Sequence, residues 1–270
     1  MCAEAFSAVL QEAEEGTIQG VQICRGAPKI NQLFFAYDSL SYEGKCARSS
    51  KVTTDFSFVY EEQTGQKINK EKSTAMFSKG TSAATKAGVL VSLGIATESH
   101  NQSYLGLPVH IGAPRSKEFE YLKQRIWQRI QGWKEKLLPK AGKEVLIKAV
   151  AYAILTYAMS CFDLTKQVCK EISALIARYW WSQQDKMNKC HWVSWEKMTR
   201  PKKDGGLGFR DMHIFNMAML ARQGWRLLEA PDTLCAQVLK VRYYPNCSVL
   251  EATESDGISY MWSSILKGIA

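Results

Sequence analysis

Hydrophobic spacing along the chain is helical at the start, strand-like over 21–40 and helical again further on. Phe6, Val9, Leu10 and Ala13 share one face of a predicted helix over 2–15, with Glu4, Glu12, Glu14 and Glu15 elsewhere and Gly16 and Gly20 closing it. Alternation predicts a strand over 21–24, a break at Gly26-Ala27-Pro28, and a second strand over 32–36 that turns at Tyr37-Asp38 into a third. Residues 41–58 carry no helical stripe and are crowded with Ser, Thr and β-branched residues. Phe119, Leu122, Ile126, Ile130, Trp133 and Leu137 then recur every three or four residues, predicting an amphipathic helix over 117–138 that Pro139 ends. A basic turn, Lys140-Ala141-Gly142-Lys143, leads to a mostly apolar helix reaching about Phe162. Val168, Ile172, Leu175, Ile176 and Tyr179 stripe a further helix.

After a polar loop come Trp192 and Trp195. Exposed aromatics beside basic residues can stack on bases, but Tyr179-Trp180-Trp181, Trp192 and Trp195 sit in apolar contexts and are assigned to the core. The glycine-rich run from Lys202 to Asp211 lacks the spacing of a phosphate cradle. It is a turn that delivers the chain to a helix capped by Asp211, with Ile214, Ala218, Ala221, Trp225 and Leu228 as the apolar stripe. The expected fold class is α+β: a short antiparallel sheet with helices to about residue 113, then a mainly helical remainder.

Composition adds limits. The 270 residues are 46% hydrophobic, enough for a sizeable core in one or two domains. A formal net charge of +9 suits a polyanionic partner, nucleic acid being the simplest, and equally suits a merely lysine-rich protein. Eight cysteines occur without any C-x-x-C, several inside apolar stretches, so buried free thiols in a reducing compartment are expected. Cys190-His191 has no zinc-like companion spacing. The N-terminus has no basic region of the kind that opens a signal peptide. The longest apolar run, 149–162, is shorter than the ~20 residues of a membrane span. The expectation is an intracellular protein of cytoplasm or nucleus with no membrane segment; the oligomeric state stays open.

Leu33 to Leu40 is an apolar run that leads into a carboxylate and out again, as a hairpin carrying an acid at its tip would. With its flanks it resembles the metal-binding motif of LINE-type (non-LTR) retrotransposon reverse transcriptases of plants. The motif core in that family is Phe-Ala-Asp-Asp; here it is Phe35-Ala36-Tyr37-Asp38. Tyr60-Glu61-Glu62-Gln63-Thr64-Gly65 through Ser73 resembles the family's next motif, and Tyr104-Leu105-Gly106-Leu107-Pro108 its primer grip. Gly205-Gly206-Leu207-Gly208-Phe209-Arg210-Asp211 is similar to the family's linker toward a zinc-knuckle region, before which this chain stops. The resemblance covers nearly the whole chain except 41–58. Preserved length with unrelated content there suggests compensating frameshifts; the other reading frames of the coding DNA should restore a family-like helix, and the idea fails if they do not.

The resemblance implies a partial reverse-transcriptase palm over 1–113, a helical thumb over 114–182 and a helical connection region over 183–270. It implies RNA-directed DNA polymerase chemistry with Mg²⁺, and an RNA template with an RNA–DNA or DNA primer duplex as partner. Asp38 would be the residual metal ligand and catalytic carboxylate, and Lys72 would neutralise or protonate the leaving pyrophosphate; a solvated lysine in a charged loop is the alternative for Lys72. Lys123, Arg125, Arg129, Lys134, Lys136, Lys140 and Lys143 would meet phosphates of the duplex, or form an ordinary solvated face. The family uses three aspartates. The upstream one has no counterpart in this sequence, and Tyr37 stands where the second belongs. A phenol with a pKa of about 10 is neutral at pH 7. One remaining carboxylate does not hold two magnesium ions, so no polymerase activity is expected. The rival expectations are a non-catalytic RNA or RNA–DNA hybrid binding remnant, and a decayed element product with no role.

Overall fold

The computed structural model describes residues 20–30, 32–35, 38–42, 61–62, 65, 67–78, 80–96, 103–109, 111–112, 115–134, 138–182, 192–255 and 257–270. The predicted helix over 2–15 and most of the segment 41–58 lie outside the described residues. The fold is α+β, mainly helical with short antiparallel strand pairs. The chain divides into two compact units, Met1–His110 with Gln237–Arg242, and Ile111–Ala236 with Tyr243–Ala270.

In the first unit β1 (Val21–Gln22) pairs with β2 (Lys29–Ile30), and β3 (Gln32–Phe35) with β4 (Asp38–Ser41). Further on, β5 (Ser103–Tyr104) pairs with β6 (Leu107–Pro108). The predicted first strand is thus two residues long rather than four, because the chain already bends at Ile23. Among the described residues the pairs are separate hairpins, not one sheet. Helix α1 (Ala83–Leu93) begins at Ser82, whose side chain accepts from Thr85 N, and ends at Gly94 in the left-handed conformation. It buries none of its residues, and Val91 is 81% exposed. Between residues 20 and 112, Ala27 and Leu107 are the buried positions among those described.

The second unit holds the helical core. The predicted helix over 117–138 is interrupted at Phe119, giving α2 (Arg115–Glu118) and α3 (Glu120–Lys134). Phe119, Leu122, Ile126, Ile130 and Trp133 are buried as their spacing required. Lys140 to Lys143 is not a turn: it opens α4 (Lys140–Leu146), with Pro139 as the extended residue before it. Proline fits that place because its missing N–H would have no helical partner there. A π-helical turn (Ile147–Ala151) joins α4 to α5 (Tyr152–Cys161). The helical run 140–161 is therefore 22 residues, long and apolar enough by length and composition to cross a membrane, which the shorter sequence-based run was not. Here it packs against α3 and the later helices.

Helix α6 (Lys166–Trp181) starts at Thr165, which accepts from Val168 N. After α7 (Trp195–Thr199), Asp211 caps α8 (Met212–Glu229) as expected, accepting from His213 N and Ile214 N. The chain continues through α9 (Leu234–Tyr243), of which Gln237–Arg242 is counted with the first unit, to α10 (Tyr260–Ile269). The predicted apolar stripe of α8 is on the wrong side. Met212, Asn216, Leu220, Gly224 and Leu227 are buried, while Ile214 is 68% and Trp225 61% exposed. The cause is close packing against α10. A Cβ at Gly268 would lie 2.5 Å from Leu220 Cβ and 2.6 Å from Ala221 N, and one at Gly224 would lie 2.5 Å from Ile269 Cγ1. Two glycines let the helices approach nearly backbone to backbone.

Two buried polar side chains in this unit, Asn216 and Ser264, are paired, whereas the buried Tyr179 Oη and Trp262 Nε1 have no hydrogen-bond partner among the described residues. Asn216 Nδ2 donates to the carbonyls of Met159 and Phe162, both at 2.9 Å, and Asn216 Oδ1 accepts from Leu164 N at 2.7 Å. It thereby caps the end of α5. Ser264 Oγ accepts from Asp163 N at 2.9 Å and donates to Tyr260 O at 2.7 Å. The expectation of buried thiols fails in part: Cys169 is buried, but Cys235 and Cys247 are exposed, and all the described cysteines are free. Cys235 lies on the exposed side of α9, whose Ala236 and Leu239 face inward, and Cys247 in the loop after it.

Candidate nucleic-acid interface

The hairpin that suggested the chemistry is present as a backbone feature. Strands β3 and β4 are joined through Ala36-Tyr37, with Phe35 opposite Asp38. Asp38 opens the returning strand; Tyr37 lies outside the described residues. No group of three or more His, Cys, Asp or Glu side chains gathers among the described residues. Tyr37, a phenol that is neutral at pH 7, is not the charged oxygen ligand that Mg²⁺ takes.

Lys72 is exposed in a turn organised by Asn69, whose backbone carbonyl and Oδ1 both accept from Lys72 N, at 3.2 and 3.1 Å. The segment Tyr104 to Pro108 forms a tight two-residue hairpin. Leu105 at φ 51° and Gly106 at φ 77° make the turn, and Leu107 is buried. Paired positive φ values match the natural twist of a hairpin, but a leucine adopts one only at a cost of about 1 kcal/mol or more.

The basic residues of the second unit divide into two groups. Lys123 Nζ pairs with Glu120 at 2.7 Å and also with Glu171 on α6. Glu120 first and Glu171 second hold the Lys123 ammonium above its ordinary range, and Lys123 in turn depresses the Glu171 carboxyl. Lys140 donates to Trp180 O and lies 4.7 Å over the Trp180 ring. Lys143 donates to the carbonyls of Tyr179 and Ser182 and to Ser182 Oγ. These two lysines close the C-terminus of α6, where unpaired carbonyls and the helix dipole favour cations. Burial, with Lys140 beside it, lowers the Lys143 pKa. Arg125 and Arg129, one helical turn apart, are exposed on the solvent face of α3. Lys134 is the last residue of α3, and Lys136 lies outside the described residues.

Sequence reasoning missed the aromatic company of Arg125. Tyr157 on α5 is 46% exposed. The Tyr121 phenol, raised by burial, feels Arg125 and Tyr157 nearby. The spacing of Tyr121 and Arg125 was a usable signal; the approach of Tyr157 from another helix was not. The core assignment holds for Tyr179 and Trp180, both buried, and fails for Trp192, which is 81% exposed. Trp195 stacks on Phe209, ring centroids 5.3 Å apart. The glycine-rich run is structural: Arg210 N donates to Tyr152 Oη at 3.0 Å, and the Arg210 guanidinium lies 4.0 Å over Phe215.

The chain is 43% identical over 117 residues to an uncharacterized mitochondrial protein of Arabidopsis thaliana, AtMg00310, and the match covers 76% of that protein and 43% of this chain. The chain belongs to the AtMg00310 family. That name states no activity. A second relative from the same plant, At1g65750, is provisionally named a ribonuclease H protein; it is 33% identical over 154 residues, 56% of this chain. The chain spans only 24% of that longer protein. No protein-family model matches the chain. Against this background, the features shared by sequence motif and geometry in this AtMg00310-family member are the β3–β4 hairpin, the Leu105-Gly106 turn and the arginine face of α3.

Proposed function

We propose that the chain derives from a LINE-type retrotransposon reverse transcriptase and no longer polymerises, and that it keeps contact with an RNA template or RNA–DNA hybrid. The observation that carries this reading is the β3–β4 hairpin, which closes at Phe35 and Asp38, together with the tyrosine that precedes Asp38 in the sequence. Metal-assisted nucleotidyl transfer needs charged oxygens at that tip, and a neutral phenol does not replace one. The ribonuclease H name of At1g65750 supports a transposable-element origin and nucleic acid as the partner.

Binding is assigned to the α3 face. Arg125 and Arg129 present guanidinium groups, which suit phosphate oxygens, and Tyr157 supplies a flat ring in the same neighbourhood. Lys123, Lys140 and Lys143 spend their charge inside the unit and contribute less. Titration of a short RNA–DNA hybrid at several salt concentrations tests this. Affinity should fall with salt, and Arg125→Glu with Arg129→Glu should flatten the slope by about two phosphate contacts. A slope unchanged by the double substitution overturns the assignment to α3, and no binding at low salt overturns the retained contact. Incubation with a primed RNA template, deoxynucleotides and Mg²⁺ tests the catalytic half, with no elongated primer as the expected result.

A further inference from the structure

Helix α8 is apolar on two sides, and only one of them is used. The side toward α10 is locked by the close approach at Gly224 and Gly268. The other carries Ile214, Ala218, Ala221, Trp225 and Leu228, spaced four, three, four and three residues apart, the pattern of a helix-pairing seam. Ile214 and Trp225 are two of the most exposed large hydrophobic side chains of this unit, and Ala218 is exposed between them. Because the opposite face is fixed by packing, α8 cannot rotate to hide the stripe.

We propose that this stripe is a docking site for one amphipathic helix of another protein, apolar on its contact face and acidic along one flank. Arg222 and Arg226, one helical turn apart, are exposed along the same edge of the stripe beside Trp225 and set the sign of the partner there. Asp211, at the start of α8, is engaged with His213 N and Ile214 N, which leaves Glu229 as the exposed acid at the far end. A second copy of the chain paired antiparallel fits poorly, since it would bring Arg222 and Arg226 toward the same arginines. A nucleic acid fits poorly too: the stripe offers one flat ring among four aliphatic side chains, whereas an apolar helix face covers all five. The anchors recur at the i, i+4, i+7 and i+11 positions that helix-in-groove recognition uses. This site does not depend on the reading of the α3 face.

The test uses the full chain and two labelled three-heptad peptides, each with Leu at the seam positions, one flanked by Glu and one by Lys. Fluorescence anisotropy should show saturable binding of the Glu-flanked peptide and much weaker binding of the Lys-flanked one. Trp225→Ala should weaken the Glu-flanked peptide by about tenfold or more, as loss of a central aromatic anchor does. Arg222→Glu with Arg226→Glu should reverse the preference; both residues are exposed, so the fold tolerates the exchange. Equal binding of both peptides, no binding, or binding indifferent to Trp225→Ala overturns the proposal. So does displacement of the bound peptide by oligouridylate, or a concentration-dependent dimer that Trp225→Ala abolishes.

Discussion

Single residues decide more of this fold than their chemistry suggests from sequence. Asn216 is a polar residue in an otherwise apolar interface, yet it satisfies three backbone groups at once. Asn216→Leu keeps the volume and strands a buried N–H and two carbonyls, so it should cost on the order of 3 kcal/mol in urea unfolding. Tyr152 and Tyr260 set the alkaline limit. Burial pushes both phenols up to about 12 from the ordinary 10.0. A group whose acid form is favoured in the folded state contributes stability that is complete below its unfolded pKa. That stability disappears as pH climbs through the folded value. Unfolding should therefore steepen between pH 10 and 12, and Tyr152→Phe should make this loss shallower in a pH titration followed by circular dichroism.

At the scale of elements, the α8–α10 contact gives a discriminating pair of substitutions. At Gly268 an added methyl meets Leu220 Cβ and the backbone of Ala221, which cannot yield without separating the helices. Gly268→Ala should cost about 1–3 kcal/mol. At Gly224 the obstacle is the outer part of Ile269, which can change rotamer. The gain in helix propensity of about 1 kcal/mol then offsets most of the clash, so Gly224→Ala should be nearly neutral in thermal melts. These elements also show what the sequence made legible. Alternation located the β3–β4 hairpin, period and capping located α3, α6 and α8, and Asp211 stands where a cap was expected. The buried face of α8 was not legible, because it is built from Asn216 and Gly224, residues that count against a core position. The engagement of Lys140 and Lys143 was hidden for a related reason: their partners are carbonyls of Trp180, Tyr179 and Ser182, far along the chain. The candidate site was legible as motifs, through Asp38 and the Tyr104–Pro108 turn, but not as a division of basic residues into engaged and exposed.

On the whole-molecule scale the two units differ in how much they bury. The second unit has fully buried side chains from α3, α5, α6, α8 and α10. Residues 20–112 bury Ala27 and Leu107 among those described, and α1 buries nothing. Local opening follows the density of buried contacts. Amide hydrogen exchange should therefore be fast in β1–β6 and α1 and slow in α3, α5 and α8; equal protection would contradict the contrast. The net charge of +9 adds a long-range attraction to polyanions that is independent of any catalytic competence. Primer extension separates the two most directly. The purified chain, given a primed RNA template, the four deoxynucleotides and Mg²⁺, should leave the primer at its original length over hours while still retarding the duplex in a gel. Elongated product that depends on Mg²⁺ and disappears in Asp38→Asn would contradict the claim that Tyr37 has ended the chemistry of this hairpin.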